Sequence, residues 1–382
     1  MTELNNKTNT LTAKRERNYG IDFLRIISMF MVTLLHFCGF SGLSGTPDAG
    51  VAFYINSAFY VLCYAAVDIF ALISGYVMYE AKVKYSRIVG LWFQVTFYSV
   101  VLSLIEKLTF GVPMDITHAL LPLTYSNVWY FQAYFLMFFF IPLYNEIVEK
   151  VSKKLLLSSI VIGVIVFCLF YNWSGISGKD VLLLKNGYSF LWISFCFVIG
   201  AYIKKYKEDI SHISNRAWWI AIFVSEAVSY LVYVLLFNRI ASVPIYSVIA
   251  KFFLDYTSVT TLISAICILI IFSRVQVKRG KGVIRFFSST AFSVYVIQVH
   301  ALVWEHFIKQ YYTFFKGASF IMGSALILAG AVALYLAASC VDYLRILLFR
   351  LLHIDDLSKL ICKLAEKIIN VLKRPIEKYI GE

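Results

Sequence analysis

Arg25 and His36 are the two residues of this chain whose type and spacing best suit chemistry, and both lie in one long apolar stretch. They are eleven residues apart, so on a helix they project from nearly the same face, separated by about 16 Å along the axis. A charged side chain at such a depth in a membrane costs about 3 kcal/mol, so we expect the pair to serve a function. His36 could act as a general base, an acyl carrier or a proton relay, because imidazole titrates near neutral pH. Arg25 could supply a fixed cation for a phosphate or a developing oxyanion.

Asp22 lies one turn before Arg25, where an i,i+3 ion pair lowers the cost of burying both charges. Two structural alternatives remain open. His36 can be a hydrogen-bonded packing residue, and the Asp22 and Arg25 side chains can extend to the inner membrane surface.

Other polar residues in later apolar stretches are further candidates. Asp68 lies inside the second stretch, ahead of Ser74 and Gly75, whose small side chains allow a close helix contact. Lys84 and Arg87 place two cations on one helical face, which suits phosphate binding and a cytoplasmic loop equally well. The remaining candidates are Trp129, Tyr130 and His300, and Asn127 begins the same motif as Trp129.

The composition predicts the elements that must position these residues. The chain has 382 residues, of which 60% are apolar, 17% aromatic and only 15% charged, and its mean hydropathy is +0.76. Such a chain is too apolar for a soluble protein of this size, so we expect an all-α, polytopic membrane bundle. Ten runs are long enough to span a bilayer, at residues 20–40, 51–79, 86–106, 127–148, 155–171, 188–203, 217–237, 256–273, 286–308 and 318–344.

The basic residues predict the orientation of these ten spans. If residues 1–18 are cytoplasmic, the inner segments hold 27 of the 35 lysines and arginines and the outer segments hold seven. This bias follows the positive-inside rule and places both termini in the cytoplasm. It also accounts for the net charge of +13 without a nucleic-acid partner.

Three regions are predicted along the chain. Residues 1–18 form a polar cytoplasmic segment that is not a cleaved signal, and residues 19–350 form the ten-helix domain. Residues 351–382 form a basic amphipathic helix on the inner membrane surface, for which anchoring is favoured over catalysis. The seven cysteines show no CxxC spacing, and no spacing supports a metal site from His36, His300 and His306, so no metal is expected.

The ordered motifs resemble those of the integral-membrane acyltransferase family 3, over about residues 18–345. They are Asp22-Phe-Leu-Arg25 with His36, Phe70-Ala-Leu-Ile-Ser74-Gly75-Tyr76, the basic pair before the third span, Asn127-Val-Trp129-Tyr130-Phe, and Tyr295-Val-Ile-Gln-Val-His300.

The resemblance implies a ten-helix enzyme that transfers an acyl group, usually acetyl from cytoplasmic acetyl-CoA, to an extracytoplasmic glycan or glycolipid. His36, Arg25 and Asp22 are then the expected catalytic set. The family's Arg-x-x-Arg pair corresponds to Lys84 and Arg87, which would bind the donor together with Arg25. The lysine keeps the charge but lacks the bidentate fork of arginine.

Further expectations follow from the same resemblance. The protein would be a multi-pass O-acetyltransferase of a bacterial cell membrane, surrounded by lipid and acting in polysaccharide modification. Some relatives carry a fused extracytoplasmic hydrolase-like domain that this chain lacks. It would therefore transfer directly or cooperate with a separate extracytoplasmic transferase or glycan-assembly protein.

Two other classes of function remain open from the residues themselves. A transporter or polysaccharide exporter could use the intramembrane ionisable residues as an ion or substrate path. Those residues are Asp22, Arg25, His36, Asp68 and His300. A membrane sensor or scaffold is the third reading, although buried charges serve it poorly.

Overall fold

The computed structural model describes residues 17–40, 51–125, 128–236, 244–311, 313 and 319–380, and Asn127 lies outside these ranges. The described residues form helices and no strand, which confirms the predicted all-α class. Seven helices are long and apolar enough to cross a membrane, and an eighth span results if one bent pair is counted as a single span. The chain is therefore a polytopic helical membrane protein, and ten spans remain a prediction.

Twelve helices carry the architecture among the described residues. They are α1 (Tyr19–Phe40), α2 (Val51–Cys63), α3 (Ala65–Met78), α4 (Ser86–Phe110), α5 (Trp129–Lys150), α6 (Lys153–Val164), α7 (Phe190–Lys205), α8 (Asn215–Leu236), α9 (Val259–Ser273), α10 (Lys281–Gln298), α11 (Phe320–Leu351) and α12 (Ile354–Ile380). A π-helical segment, Ile165–Phe170, continues α6 toward Ser174.

Two of the ten predicted spans correspond to short helices. Helix α7 has 16 residues and α9 has 15, which at 1.5 Å per residue is less than the roughly 30 Å of a hydrocarbon core. Both are packed inside the bundle, with Trp192 and Phe197 of α7 and Leu269 of α9 fully buried. Neighbouring helices, rather than lipid, surround much of these two elements.

The crossing of α3 and α7 depends on two glycines. A Cβ atom at Gly75 would overlap the backbone carbonyl of Phe197, and one at Gly200 would overlap the backbone of Leu72. The two backbones therefore touch directly, which is how small residues serve membrane helix pairs. Near the same interface, Trp192 Nε1 donates a 2.8 Å hydrogen bond to Asp68.

Helix α1, which carries Arg25 and His36, lies at the centre of the bundle. It packs against α2, α3, α9, α10 and α11. Its apolar residues fill those interfaces, since Leu24 and Cys38 have no exposed surface. A side chain on α1 can therefore meet groups from many parts of the sequence.

Contacts between loops define one end of the bundle, which we call the basic end. Asn18 donates to the Ser273 carbonyl (3.0 Å), Arg274 to the Ile213 carbonyl (2.8 Å) and Lys205 to the Val148 carbonyl (2.9 Å). These bonds bring the start of α1 and the ends of α5, α7 and α9 together. His36 lies on the last turns of α1, toward the opposite end.

The ninth predicted span, residues 286–308, is bent rather than continuous. Helix α10 ends at Gln298, and the segment Ala301–Tyr311 leaves it at an angle of 74°. His300 adopts an extended conformation (ψ 142°) and its Nδ1 accepts a 3.1 Å hydrogen bond from the Leu302 amide. The histidine side chain thus caps the new helical turn that the break creates.

The last two helices meet at a sharp turn. Helix α11 continues to Leu351, seven residues beyond the predicted end of its span, and His353 then takes a positive φ of 52°. Helix α12 follows and packs against α4. The predicted C-terminal helix is present over Ile354–Ile380, and its position on a membrane surface remains a prediction.

Candidate active site

A cavity of about 580 Å³ opens between the helices at the end opposite the basic end. It is lined by His36 of α1 and by aromatic side chains from several elements, and we call it the aromatic cavity. Its lining includes Tyr60, Tyr64, Phe70, Trp129, Tyr130, Tyr188, Tyr256, Phe292, Tyr295 and Trp304. Three predicted site residues, His36, Trp129 and Tyr130, therefore share one space.

The His36 imidazole lies next to two side chains, Gln298 at the end of α10 and Trp304 in the segment after it. The Trp304 ring meets it edge-on, with ring centroids 4.8 Å apart and planes at 79°, and the Gln298 side chain lies beside it. Within the described part of the chain, Nδ1 of His36 has no hydrogen-bond partner. The imidazole is thus oriented by packing while one ring nitrogen remains able to accept a proton.

Tyr130 presents a second unused polar group to the same cavity. Its hydroxyl is buried and makes no hydrogen bond to any described residue. Its backbone amide donates to the Tyr295 hydroxyl at 3.1 Å, which fixes the first turn of α5 against α10. The phenol therefore supplies a donor that a bound molecule can use.

Arg25 forms a compact network at the basic end. Its Nη1 donates to Asp22 Oδ1 at 3.0 Å and to Ser288 Oγ of α10 at 3.1 Å. Ser288 also donates to Asp22 (3.1 Å), and Arg17 pairs with the same carboxylate. The predicted Asp22–Arg25 pair is thus present, with the Arg25 side chain 28% exposed.

Tyr134 connects the cations of the basic end to the aromatic cavity. Its side chain lies in the neighbourhood of both Arg25 and Arg87. One helical turn earlier on α5, the Tyr130 ring lies 6.3 Å away and nearly parallel at 17°. The two stacked phenols therefore join the wall of the aromatic cavity to the neighbourhood of the arginines.

A second cavity of about 510 Å³ lies on the basic-end side of Tyr134, and we call it the inner cavity. Tyr134 and Arg87 line it, whereas Lys84 is exposed and does not. Of the predicted basic pair, only Arg87 faces this space. Two cations that the sequence analysis did not select, Arg345 and Lys359, line it as well.

Asp68 and Ser74 line neither cavity. Asp68 is fully buried and bound to Trp192, and Ser74 donates to the Phe70 carbonyl of its own helix at 2.9 Å. The Asp68 contact joins α3 to α7, whereas the Ser74 contact lies within α3. The structure does not bring either residue to His36.

His300 lies in a third, smaller cavity of about 230 Å³ that shares Val299 with the aromatic cavity. Its Nε2 lies 3.1 Å from Ser103 Oγ. Because Nδ1 accepts from the Leu302 amide, neutral His300 carries its proton on Nε2 and donates to Ser103, so it cannot activate that serine as a base. Nor do three histidine, cysteine or acidic side chains converge to hold a metal anywhere in the described ranges.

Asp255 is an acidic group near the aromatic cavity that the sequence analysis did not single out. It lies in the loop before α9, next to the cavity-lining Tyr256, and its side chain accepts a 2.7 Å hydrogen bond from the Tyr256 amide. Burial raises the pKa of Asp255 to about 7, although the Tyr256 amide and the charge of Lys251 oppose this shift. Its sequence signal was only an acid between apolar and aromatic neighbours.

Comparison with known proteins identifies the family. A family model described as an acyltransferase domain, that of acyltransferase family 3, matches residues 18–340. No curated protein and no solved structure matches the chain. The matched range contains both Arg25 and His36 and most of the membrane helices, so the chain belongs to acyltransferase family 3 and is a membrane acyltransferase.

Proposed function

We propose that this protein is an O-acyltransferase that moves an acetyl group from cytoplasmic acetyl-CoA to a hydroxyl of an extracytoplasmic polysaccharide or glycolipid. The observation that carries the proposal is the arrangement of two cavities on either side of Tyr130 and Tyr134. One contains His36, whose Nδ1 has no hydrogen-bond partner among the described residues, and the other contains arginine side chains. A donor and an acceptor could therefore approach from opposite ends.

On the donor side, the charges suit a phosphorylated carrier. Arg87 lines the inner cavity with Tyr134, and Arg25 lies in the neighbourhood of the same tyrosine, so a phosphate at this end would approach two guanidinium groups. The pantetheine arm would then run past Tyr134 and Tyr130 toward His36. The axial distance from Arg25 to His36, about 16 Å, is within reach of such an extended arm.

On the acceptor side, the aromatic walls suit a sugar. Ring faces of tyrosine and tryptophan pack against the apolar faces of sugar rings, and their polar atoms can bond to hydroxyls. The hydroxyls of Tyr60 and Tyr64, 3.0 Å apart, add polar atoms to this wall. An acceptor hydroxyl placed next to His36 would meet an imidazole that is free to take its proton.

The proposed step is direct transfer. His36 removes the proton of the acceptor hydroxyl, and the oxygen attacks the thioester carbonyl carbon. The Tyr130 hydroxyl donates to the developing oxyanion. When the C–S bond breaks, the thiolate of CoA takes the proton from His36, which leaves an ester, free CoA and a neutral imidazole.

This function sets the expected surroundings. The protein would lie in a bacterial cell membrane with both termini in the cytoplasm and the aromatic cavity toward the outside. Its partners would be membrane lipids, the glycan acceptor and, where transfer is shared, a separate extracytoplasmic protein. No metal enters the proposed step.

The test compares wild type, His36→Ala and His212→Ala, the last an exposed histidine at the basic end. Cells that express each protein in a null background are examined for O-acetyl groups on surface glycans by mass analysis. The purified proteins in nanodiscs are assayed for acetyl-CoA binding. We expect acetylation with wild type and His212→Ala, none with His36→Ala, and donor binding by all three. A wild-type protein that neither binds acetyl-CoA nor changes the glycans would contradict the proposal and favour an exporter.

A further inference from the structure

The last membrane helix repeats the motif of the first. Asp342-Tyr-Leu-Arg345 in α11 has the same pattern as Asp22-Phe-Leu-Arg25 in α1, an acid, an aromatic residue, leucine and arginine. In both, the acid and arginine pair at i,i+3. Helix α10 contacts both helices and supplies a serine to each acid: Ser288 bonds to Asp22, and Ser293 bonds to Asp342.

Asp342 is built to hold Arg345 in one orientation. The carboxylate is fully buried and accepts hydrogen bonds from Tyr98 (2.8 Å) and Ser293 as well as from Arg345. Arg345 donates through Nε (2.7 Å) and Nη2 (3.1 Å), which is the bidentate geometry that fixes a guanidinium plane. The guanidinium also lies 4.8 Å from the centroid of the Phe349 ring.

This anchoring leaves one edge of the guanidinium for a ligand. Nη1 of Arg345 makes no hydrogen bond among the residues that the structure describes, and the side chain is 10% exposed, at the wall of the inner cavity. An arginine that is oriented in advance loses little conformational freedom when an anion binds. Arg345 is thus placed as a fixed anion receptor rather than as a surface charge.

The C-terminal helix forms another wall of the same cavity. Ile354, Asp355 and Lys359 of α12 line it, together with Arg87 of α4. Helix α12 lies close to α4 at Gly90: a Cβ atom there would meet Ser358 Oγ at 3.9 Å, an ordinary contact distance, and Ser358 is buried. The two helices are therefore in contact one residue before Lys359.

The charges that line the inner cavity favour an anion. Three cations, Arg87, Arg345 and Lys359, face one exposed carboxylate, Asp355. The buried Asp342 is neutralised by Arg345 and its hydrogen bonds, and Lys359 also pairs with Asp356 at 2.8 Å. Within the lining itself, three positive charges from three different helices face one negative charge, and the paired Asp342 and Asp356 lie outside the lining.

We infer that Arg345 and the C-terminal helix complete the phosphate-binding part of the donor site, with Arg345 as the oriented receptor and Lys359 as an added charge. This inference rests on the proposed function, because it assigns the inner cavity to the phosphates of the acyl-CoA. Helix α12 then has a binding role in addition to any role as a membrane anchor. Of the pair Lys84 and Arg87, only Arg87 faces the cavity, and Arg345 and Lys359 would compensate for the cation that is missing there.

The test measures coenzyme A binding to the full-length protein in nanodiscs by calorimetry. The variants are Lys359→Glu and the double variant Asp342→Asn/Arg345→Gln, which removes both members of the buried pair and so leaves no unpaired charge. The matched controls are Lys363→Glu, one turn further along α12, and Arg350→Gln, further along α11, neither of which lines the cavity. Thermal unfolding confirms that each protein is folded.

We expect the dissociation constant to rise about tenfold or more for the double variant, as for the loss of a hydrogen bond to a charged group, and about threefold for Lys359→Glu. The controls should stay within twofold. If coenzyme A binds to wild type and to Lys359→Glu with equal affinity, the proposed binding role of α12 is wrong. If the folded double variant also binds with the affinity of wild type, the proposed role of Arg345 is wrong. If the double variant does not fold, Arg345→Lys, which keeps the charge beside Asp342 but lacks the planar fork, takes its place, and coenzyme A affinity equal to wild type would remove the role of Arg345. No binding to wild type would instead contradict the proposed donor.

Discussion

Arginine at position 25 is held by two acceptors of different kinds, a carboxylate and a serine hydroxyl, through a single nitrogen. Among the described residues, Nε and Nη2 of Arg25 make no hydrogen bond. Lysine would keep the charge, but its ammonium cannot hold these contacts and also present a planar fork. The geometry of the guanidinium, more than its charge, is what this position supplies.

Arg25→Lys should therefore lower kcat/KM for acetyl transfer by about 10- to 100-fold, the cost of one charge-assisted hydrogen bond. Arg17→Lys is the matched control, because Arg17 pairs with the same carboxylate from a more exposed position. Activity is measured with purified proteins that elute normally on gel filtration. Near-normal activity of Arg25→Lys would show that only the positive charge at position 25 matters and not the planar guanidinium.

Tyr130 carries the hydroxyl that we assign to the oxyanion. Tyr130→Phe keeps the ring stacked on Tyr134 and removes only that donor, so kcat should fall about 10- to 100-fold while donor binding is unchanged. Tyr335→Phe provides the comparison, since that hydroxyl is also buried without a partner among the described residues but lines neither cavity. Equal losses in kcat from both variants would make the effect one of packing alone.

The raised pKa of Asp255 leads us to expect that the stability of the folded protein depends on pH. Its pKa of about 7 in the folded protein exceeds the ordinary value of 3.8, so the folded state binds the proton more tightly than the unfolded chain. The stabilisation is complete below about pH 4 and is lost as the pH rises toward 7, by on the order of 4 kcal/mol for a shift of this size. Charged and titratable groups nearby are Lys251, Tyr60, Tyr64 and Tyr188.

Asp255→Asn should remove that dependence. In thermal unfolding of the detergent-solubilised protein, wild type should lose more stability than the variant between pH 4.5 and pH 8, and the variant should be the more stable protein at pH 8. Parallel pH profiles for the two proteins would show that Asp255 is ionised in the folded state throughout this range.

The individual site residues differed in how visible they were in the sequence. An arginine and a histidine inside an apolar run are costly enough to stand out. His36 lines the aromatic cavity, whereas Arg25 lies at the basic end and lines neither the aromatic nor the inner cavity. The tyrosines at 60, 64, 188 and 256 were not selected, because tyrosine is common at membrane interfaces whatever its role. Arg345 did have a signal in the sequence, the repeated acid-aromatic-leucine-arginine pattern. The sequence analysis counted it only as one of the positive charges on the inner side, so the pattern was not used.

Among the elements, the pair α3 and α7 depends most on exact backbone approach. Gly75→Ala adds a single methyl group that would meet the Phe197 carbonyl, so the helices must separate or shift. We expect the variant to lower the melting temperature by several degrees, in keeping with overpacking costs of about 1–3 kcal/mol. Gly282→Ala in α10, where a Cβ would meet nothing within 4 Å, should leave it unchanged. Equal melting temperatures for the two variants would show that the crossing tolerates the methyl.

The helical elements could be located from hydrophobic runs, but their interruptions could not. The run from 286 to 308 contains neither proline nor glycine, so nothing local marks the break after Gln298. The break is stabilised instead by His300, whose ring binds the Leu302 amide and reaches Ser103 of α4. The contact between His300 and Ser103 joins residues almost 200 positions apart, and a local sequence pattern cannot predict it.

For the whole molecule, the distribution of positive charges predicts the orientation of the helices in the membrane. The prediction is that α12 lies in the cytoplasm and the short helix Ile116–Leu120 lies outside. In a Cys340→Ser background, a membrane-impermeant maleimide should label native Cys362 only in inside-out vesicles. In the same background, an added His118→Cys should react in intact cells. Labelling of both sites from the same side would overturn this topology.

Helix α10 is tied to its neighbours along its length and then stops at a sharp break. Ser288 bonds to Asp22 of α1, Ser293 to Asp342 of α11, and the Tyr295 hydroxyl accepts from the Tyr130 amide, before the 74° break after Gln298. Trp304 lies beyond this break and contacts His36, whereas the serines that bond to the two acid–arginine pairs lie before it. We therefore expect a movement of the segment after Gln298 to change the approach to His36 while Arg25 and Arg345 keep their partners.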